Sequence, residues 1–251
     1  MIIANWKSNG SKDLCHDWAS DFIGSSKPAE FFVGAAPPSI YIDCLKACFC
    51  EWSRRDEDGI FNMSLGAQDI DYSSGSRTGA ISIEMLEDYG INFAIIGHSE
   101  RRKLFNEDND LIKEKLKILN NRIMAVLCIG ETKEQNDEGI TKDILKDQLE
   151  IVNRLELDES FTVAYEPVWA IGSGLTPEPK DINEIHKYIK DVVQSNSANN
   201  LIPKVLYGGS VTDKNAESFF KEEFVDGALV GGASLDGATF AKIVNIFNST
   251  K

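Results

Sequence analysis

Residues 161–193 read FTVAYEPVWAIGSGLTPEPKDINEIHKYIKDVV. The stretch begins with a short, mostly apolar run that ends in the carboxylate Glu166, and such a run predicts a buried strand. Pro167 follows, then a segment carrying Gly172, Gly174, Pro177 and Pro179, which reads as a loop. Beyond it, Ile182, Ile185, Ile189, Val192 and Val193 recur at helical spacing, and Asp181 with Glu184 predicts a capping box at the helix start. The unit is strand, loop, helix. Further strand-like runs lie at 2–6, 31–35, 61–68, 91–97, 123–130, 204–209 and 227–232, making eight in all. Apolar stripes at helical spacing stand between or after them, among them Ile112, Leu116 and Leu119, and Phe240, Ile243, Val244 and Phe247. The runs lack clean alternation, as expected of parallel strands covered on both faces. Spread over 251 residues, eight units take about 31 residues each, which predicts an α/β fold, a (β/α)8 barrel forming a single domain over 1–251. A doubly wound sheet is the rival, but the turn after the first run, Trp6-Lys7-Ser8-Asn9-Gly10, carries no glycine-rich dinucleotide fingerprint.

Composition narrows the function classes. Apolar residues make up 42% and charged residues 26% of the chain, the profile of a soluble globular protein. No run reaches the ~18 apolar residues of a membrane span, and the start at Met1 lacks a basic segment followed by a long apolar one, so neither membrane insertion nor export is expected. A net charge of −14 opposes binding to nucleic acid. Five irregularly spaced cysteines fit a reducing, cytoplasmic setting. Cys44, Cys48 and Cys50 lack a nearby fourth ligand, so a structural metal is not expected.

In a barrel, residues at and just beyond the strand ends share one mouth. Here these are Asn5, Lys7, Gln68, His98, Ser99, Glu100, Cys128, Glu131, Glu166, Gly208, Gly209, Ser210, Gly231 and Gly232. Two loops are long, 69–82 and 167–179, and loops of that length are commonly functional. Glu166 stands at the start of the second, where Val168, Trp169 and Ile171 are suited to covering a closed site. It reads either as a base beneath a lid or as a structural glutamate. His98 reads either as a neutral electrophile or as a helix cap. Arg101 and Arg102 read as ion-paired residues holding the rim. The pairs Gly208-Gly209 and Gly231-Gly232 read either as tight turns or, with a short helix beginning near Ala233, as a phosphate cradle of backbone amides. In so acidic a chain an anion site must be locally positive, and Lys7 is placed to supply that charge.

Asn5-Trp6-Lys7, the segment 97–102 (GHSERR), the segment 164–172 (AYEPVWAIG), the segment 207–210 (YGGS) and the segment 231–234 (GGAS) together resemble the triosephosphate isomerase family, from the first strand to the final helix. The resemblance implies a TIM barrel that interconverts dihydroxyacetone phosphate and glyceraldehyde 3-phosphate in glycolysis and gluconeogenesis, with no cofactor and no metal. It implies Glu166 as the base, His98 as the neutral electrophile, Lys7 as the offsetting charge, Asn5 as a substrate ligand and Glu100 as the residue orienting them. The amides of Gly172, Ser210, Gly231 and Gly232 would hold the phosphate. It also implies a homodimer in which loop 69–82 enters the partner and Thr78 approaches the partner's Asn5 and the partner's Lys7. The chain departs from the family pattern at Ala80, where an acidic residue that could pair across subunits with Arg101 is usual. It departs again at Leu175 and Pro177 near the lid end.

Overall fold

The computed structural model describes residues 1–53, 63–73, 75–171 and 176–251. Eight strands run β1 Ile2–Asn5, β2 Val33–Ala36, β3 Met63–Ala67, β4 Phe93–Ile96, β5 Met124–Ile129, β6 Thr162–Tyr165, β7 Lys204–Tyr207 and β8 Ala228–Val230. Each pairs in parallel with its sequence neighbour, and β8 closes on β1 with Ile2 opposite Ala228. The predicted barrel is the observed one.

Period two explains why the strands carry no polar alternation. One set of side chains, including Ile3, Phe93, Ile95, Val126, Ala164, Leu206 and Leu229, fills the barrel interior. The alternate set, including Ile2, Ala4, Ala94, Ile96, Leu127, Val163, Val205 and Val230, meets the helices outside. Both faces are dry, so both positions are apolar. Phe93 fills the space that two small neighbours leave: a Cβ on Gly66 would lie 2.2 Å from its ring, and one on Gly34 would lie 2.7 Å away.

The outer layer includes α1 Lys12–Ser25, α2 Ile42–Ser53, α3 Ile83–Tyr89, α4 Ser99–Leu104, α5 Asn109–Leu119, α6 Lys133–Asp137, α7 Thr141–Leu149, α8 Pro179–Asn196, α9 Ala216–Phe220 and α10 Gly237–Thr250. The predicted stripes are buried: Ile112, Leu116 and Leu119 on α5, and Phe240, Ile243, Val244 and Phe247 on α10. The capping box predicted at Asp181 and Glu184 does not form. α8 begins earlier, with Pro179 in its first turn and Glu178 as an N-cap that makes no side-chain bond. Proline suits that position because its fixed φ is already helical and its missing N–H is not needed there.

Seven of the eight strands stop one or more residues before the predicted runs do, β2 instead reaching Ala36, and the difference matters for function. Trp6, Gly97, Gly130, Glu166, Gly208 and Gly231 all fall just past strand ends, where the chain turns into the mouth. Phe61 and Asn62 of the predicted third run lie outside the described residues. Among the described residues no helix is long and apolar enough to cross a membrane. Removing the interior ring with Phe93→Ala should lower stability by about 3–5 kcal/mol in urea unfolding, because Gly34 and Gly66 have no side chains with which to refill the cavity. A loss below 1 kcal/mol would contradict that packing.

Candidate active site

β1 and the turn after it bring Asn5 and Lys7 to the mouth. Asn5 Oδ1 accepts the Lys7 amide at 3.0 Å. Gln68 Nε2 donates to the carbonyls of Lys7 and Ala36, each at 2.8 Å. These bonds hold Lys7 at φ 51°, a left-handed conformation that costs a residue with a Cβ about 1–2 kcal/mol. Lys7 Nζ meets Glu100 Oε1 at 2.6 Å.

After β4, Gly97 turns at φ 68° and His98 caps α4. The Glu100 amide donates to His98 Nδ1 at 3.2 Å. An amide nitrogen can only donate, so Nδ1 presents a lone pair and the hydrogen bonding assigns the ring proton to Nε2. Nε2 faces Glu166 Oε1 at 2.9 Å, and the second carboxylate oxygen accepts the Ser99 amide at 3.0 Å. Both side chains are buried, Glu166 at 2% exposure and His98 at 5%.

Burial opposes a charge on Glu166, but the His98 ring, the Ser99 amide and Lys7 outweigh it and hold the carboxyl below its usual range. For His98, burial works against protonation, while the Glu166 carboxylate raises the ring's proton affinity above its ordinary value. The Glu100 amide resists a second proton at Nδ1, so the pair is a charged carboxylate facing a neutral N–H. Beneath it, burial and the charge of Glu166 push the Cys128 thiol well above its usual value, which keeps it neutral.

The backbone makes room for this carboxylate. A Cβ on Gly208 would lie 2.8 Å from Glu166 Cγ and 3.1 Å from the Tyr165 carbonyl. The last two strands end in turns held from outside the cavity. Ser234 donates its amide and its hydroxyl to Gly231 O, at 2.8 and 2.7 Å, and Trp18 Nε1 holds Ser234 O at 2.7 Å. In a trans peptide the Gly232 N–H points opposite to Gly231 O, so fixing the carbonyl aims that amide the other way. The predicted short helix is a 3-10 turn over Gly232–Leu235. Asn215 holds the other turn, donating to Ser210 O at 2.9 Å and accepting the Thr212 amide at 2.8 Å.

Asn5, Lys7, His98, Glu166, Ser210, Gly231 and Gly232 all line one cavity of about 340 Å³. Glu100 does not line that cavity but contacts two residues that do, Lys7 and His98. Gly172 and Leu175 lie outside the described residues. Arg101 pairs with Asp69 and Glu107, as an ion-paired rim residue should. Arg102 differs: it bonds the carbonyls of Gly97 and Cys128 and the side chain of Asn109.

Sequence reasoning placed Glu131 at the mouth without a role. Fully buried, it accepts the Tyr165 hydroxyl and, at 2.8 Å, Trp169 Nε1, while its carbonyl accepts the Val168 amide at 3.1 Å. It thus anchors the start of loop 167–179, whose Ile171 reaches the cavity.

The charge balance is testable. Glu166→Gln removes the carboxylate that raises the His98 proton affinity and leaves the burial that lowers it. His98 should then titrate below its native value and below the ordinary 6.5, as read from the ring 15N shifts. An unchanged titration would contradict the pairing.

Comparison with known proteins agrees with this geometry. The family model for triosephosphate isomerase matches residues 1–247. The triosephosphate isomerase of Escherichia coli (strain K12 / DH10B) is 39% identical over 260 residues, spanning 100% of this chain and 98% of that protein. The triosephosphate isomerase of Shigella boydii serotype 18 matches to the same extent, 39% over 260 residues with 100% and 98% covered. With the barrel closed, the mouth assembled and the match running nearly end to end, this chain belongs to the triosephosphate isomerase family.

Proposed function

We propose that the protein interconverts dihydroxyacetone phosphate and D-glyceraldehyde 3-phosphate, moving a proton between adjacent carbons through an enediolate, in glycolysis and gluconeogenesis. One observation carries the reading: a buried carboxylate and an imidazole N–H, 2.9 Å apart, open on the same cavity as two glycine turns. Base and proton donor are both side chains, so the chemistry needs neither metal nor organic cofactor.

Both oxygens of Glu166 are engaged, one by His98 and one by Ser99. A substrate entering between the two side chains takes the His98 N–H at its carbonyl oxygen and thereby frees Oε1. Glu166 then removes the proton from the neighbouring carbon, and the electron pair moves through the carbon–carbon bond onto the oxygen facing Nε2. His98 passes its Nε2 proton to that oxygen and takes up the proton of the neighbouring hydroxyl, and Glu166 returns its proton to the other carbon, so that the carbonyl forms at the first carbon and the exchange is complete. A neutral donor fits this task because it stabilises the developing oxyanion without first protonating the base. Asn5, with its oxygen held by the Lys7 amide, keeps its N–H groups to donate to substrate. Lys7 offsets the negative charge, and Glu100 sets Lys7 and His98 at their spacing. The amides of Ser210, Gly231, Gly232 and Gly172 hold the phosphate. A volume of about 340 Å³ is at the small end of ligand pockets, which suits a three-carbon phosphate better than a larger sugar phosphate.

The same reading makes the chain a single domain working in the cytoplasm as a homodimer. A cavity of about 650 Å³ beside Lys7, lined also by Asp69, Tyr72, Thr78 and Ala80, would receive loop 69–82 of the other protomer. Ile40 and Met85, next in sequence to the lining residues Ser39 and Leu86, are exposed apolar side chains suited to such a contact. Thr78 would then approach the partner's Asn5 and the partner's Lys7. Arg101 is already paired within the chain, so Ala80 leaves it no unmet charge.

Glu166→Gln should reduce kcat about 10²–10⁴-fold while inorganic phosphate binds with near-native affinity. Wild-type protein that turns over neither triose phosphate would overturn the activity, and a fully active variant would overturn the assigned base. Sedimentation of the wild type as a monomer at micromolar concentration would overturn the dimer.

A further inference from the structure

Two adjacent residues at the end of β3, Gln68 and Asp69, touch the machinery without lining the substrate cavity. Both line the neighbouring cavity instead, alongside Lys7. Gln68 sends both N–H groups of its amide to main-chain carbonyls, one at the end of β2 (Ala36) and one after β1 (Lys7), each at 2.8 Å. Asp69 points the other way, toward the elements that follow β4. Its Oδ2 meets Arg101 on α4 at 2.8 Å and its Oδ1 meets Lys115 on α5 at 2.6 Å. Glu107 completes a four-charge cluster, with Oε1 at 2.7 Å from Arg101 and 2.6 Å from Lys115. Lys115 and Glu107 are each only 3% exposed at the side chain.

Lys7 and α4 come from β1 and β4, which are not neighbours in the barrel. Their direct link at the mouth is the Lys7–Glu100 contact. Lys7 is strained, so its carbonyl needs holding for its side chain to stay in place. α4 has only six residues and no buried side chain to lock it. Its front edge carries His98 as cap, the Ser99 amide on Glu166 and Glu100 on Lys7, while its fixing points are Arg101 and Arg102 behind.

Resting on the isomerase reading above, we propose that Gln68 and Asp69 are positioning residues: the end of β3 braces the Lys7 turn with one side chain and α4 with the next, setting the spacing of Lys7, Glu100 and His98. Neither touches substrate. Gln68 acts through the backbone of Lys7, and Asp69 through Arg101 with Lys115 and Glu107 holding its charge. Breaking the first link displaces the cation that meets the anionic substrate. Breaking the second tilts the helix that aims the Nε2 proton. The two failures therefore differ in kind.

The test uses Gln68→Met, which keeps length and loses both donors, and Asp69→Asn, which keeps shape and loses the charge. Kinetics are measured on the full chain at several protein concentrations and scaled to the folded fraction from circular dichroism. Gln68→Met should raise KM for dihydroxyacetone phosphate and weaken inorganic phosphate binding about tenfold, with a smaller effect on kcat. Asp69→Asn should lower kcat about tenfold with KM near native, and should shift the His98 ring 15N resonances. Per-molecule kcat, KM and His98 resonances unchanged in both variants would overturn the proposal. So would a loss that disappears at high protein concentration, since it would assign these residues to subunit contact. If the wild type itself lacked isomerase activity, the functional reading would fall, while phosphate affinity and the His98 resonances would still decide the brace.

Discussion

The carboxylate of Glu166 is buried between the Nε2 proton of His98 and the amide of Ser99, and the mouth is organised around keeping it charged there. Desolvating an ion costs several kcal/mol even after the protein relaxes, so each compensating contact is required. Both donors sit at the start of the same short helix, His98 as the N-cap of α4 and Ser99 as its first residue. The Glu100 amide, at the start of that helix, fixes the tautomer that aims the proton at the carboxylate. Glycine at position 208 follows from the same demand, because any side chain there would collide with Glu166.

The barrel supplies the convergence that this pair needs. Eight parallel strands all point their C-terminal ends toward one mouth, so loops far apart in sequence deliver groups to a single cavity. Phe93 and its neighbours fill the interior below, so the mouth has a solid floor. In the proposed reading, a chain carrying −14 net charge binds a phosphate through a cradle of main-chain dipoles and one nearby lysine. That arrangement depends on local geometry, with Ser234, Trp18 and Asn215 turning carbonyls away from the site, and little on the charge of the whole molecule.

Much of this was legible in the sequence. Unalternating apolar runs told of strands covered on both faces, and residues at and just beyond the ends of several of those runs proved to line the cavity. Asn5, Lys7, His98, Glu166, Ser210, Gly231 and Gly232 were readable because a barrel puts strand ends and function at the same place. Strand limits were less so: Trp6 and Glu166 are as buried as strand residues, and their amides still donate to the neighbouring strands at Ala36 O and Ile129 O. The capping box at Asp181 failed because Pro179 can begin a helix where Asp181 only continues it. Glu131, Asp69, Ser234 and Asn215 carried no signal of their roles, since each acts through contacts set by the tertiary fold and by no sequence spacing. Gln68 was placed at the mouth, but nothing in its neighbours disclosed that it holds the strained backbone of Lys7.

The central claim is that Glu166 moves a carbon-bound proton while His98 supplies the neutral N–H opposite. The most direct measurement is incorporation of solvent deuterium into dihydroxyacetone phosphate at the carbon beside the carbonyl, for the wild type and for Glu166→Gln. The account predicts rapid incorporation by the wild type and a fall of orders of magnitude in the variant, with the fold intact. Incorporation at the native rate without the Glu166 carboxylate would contradict it.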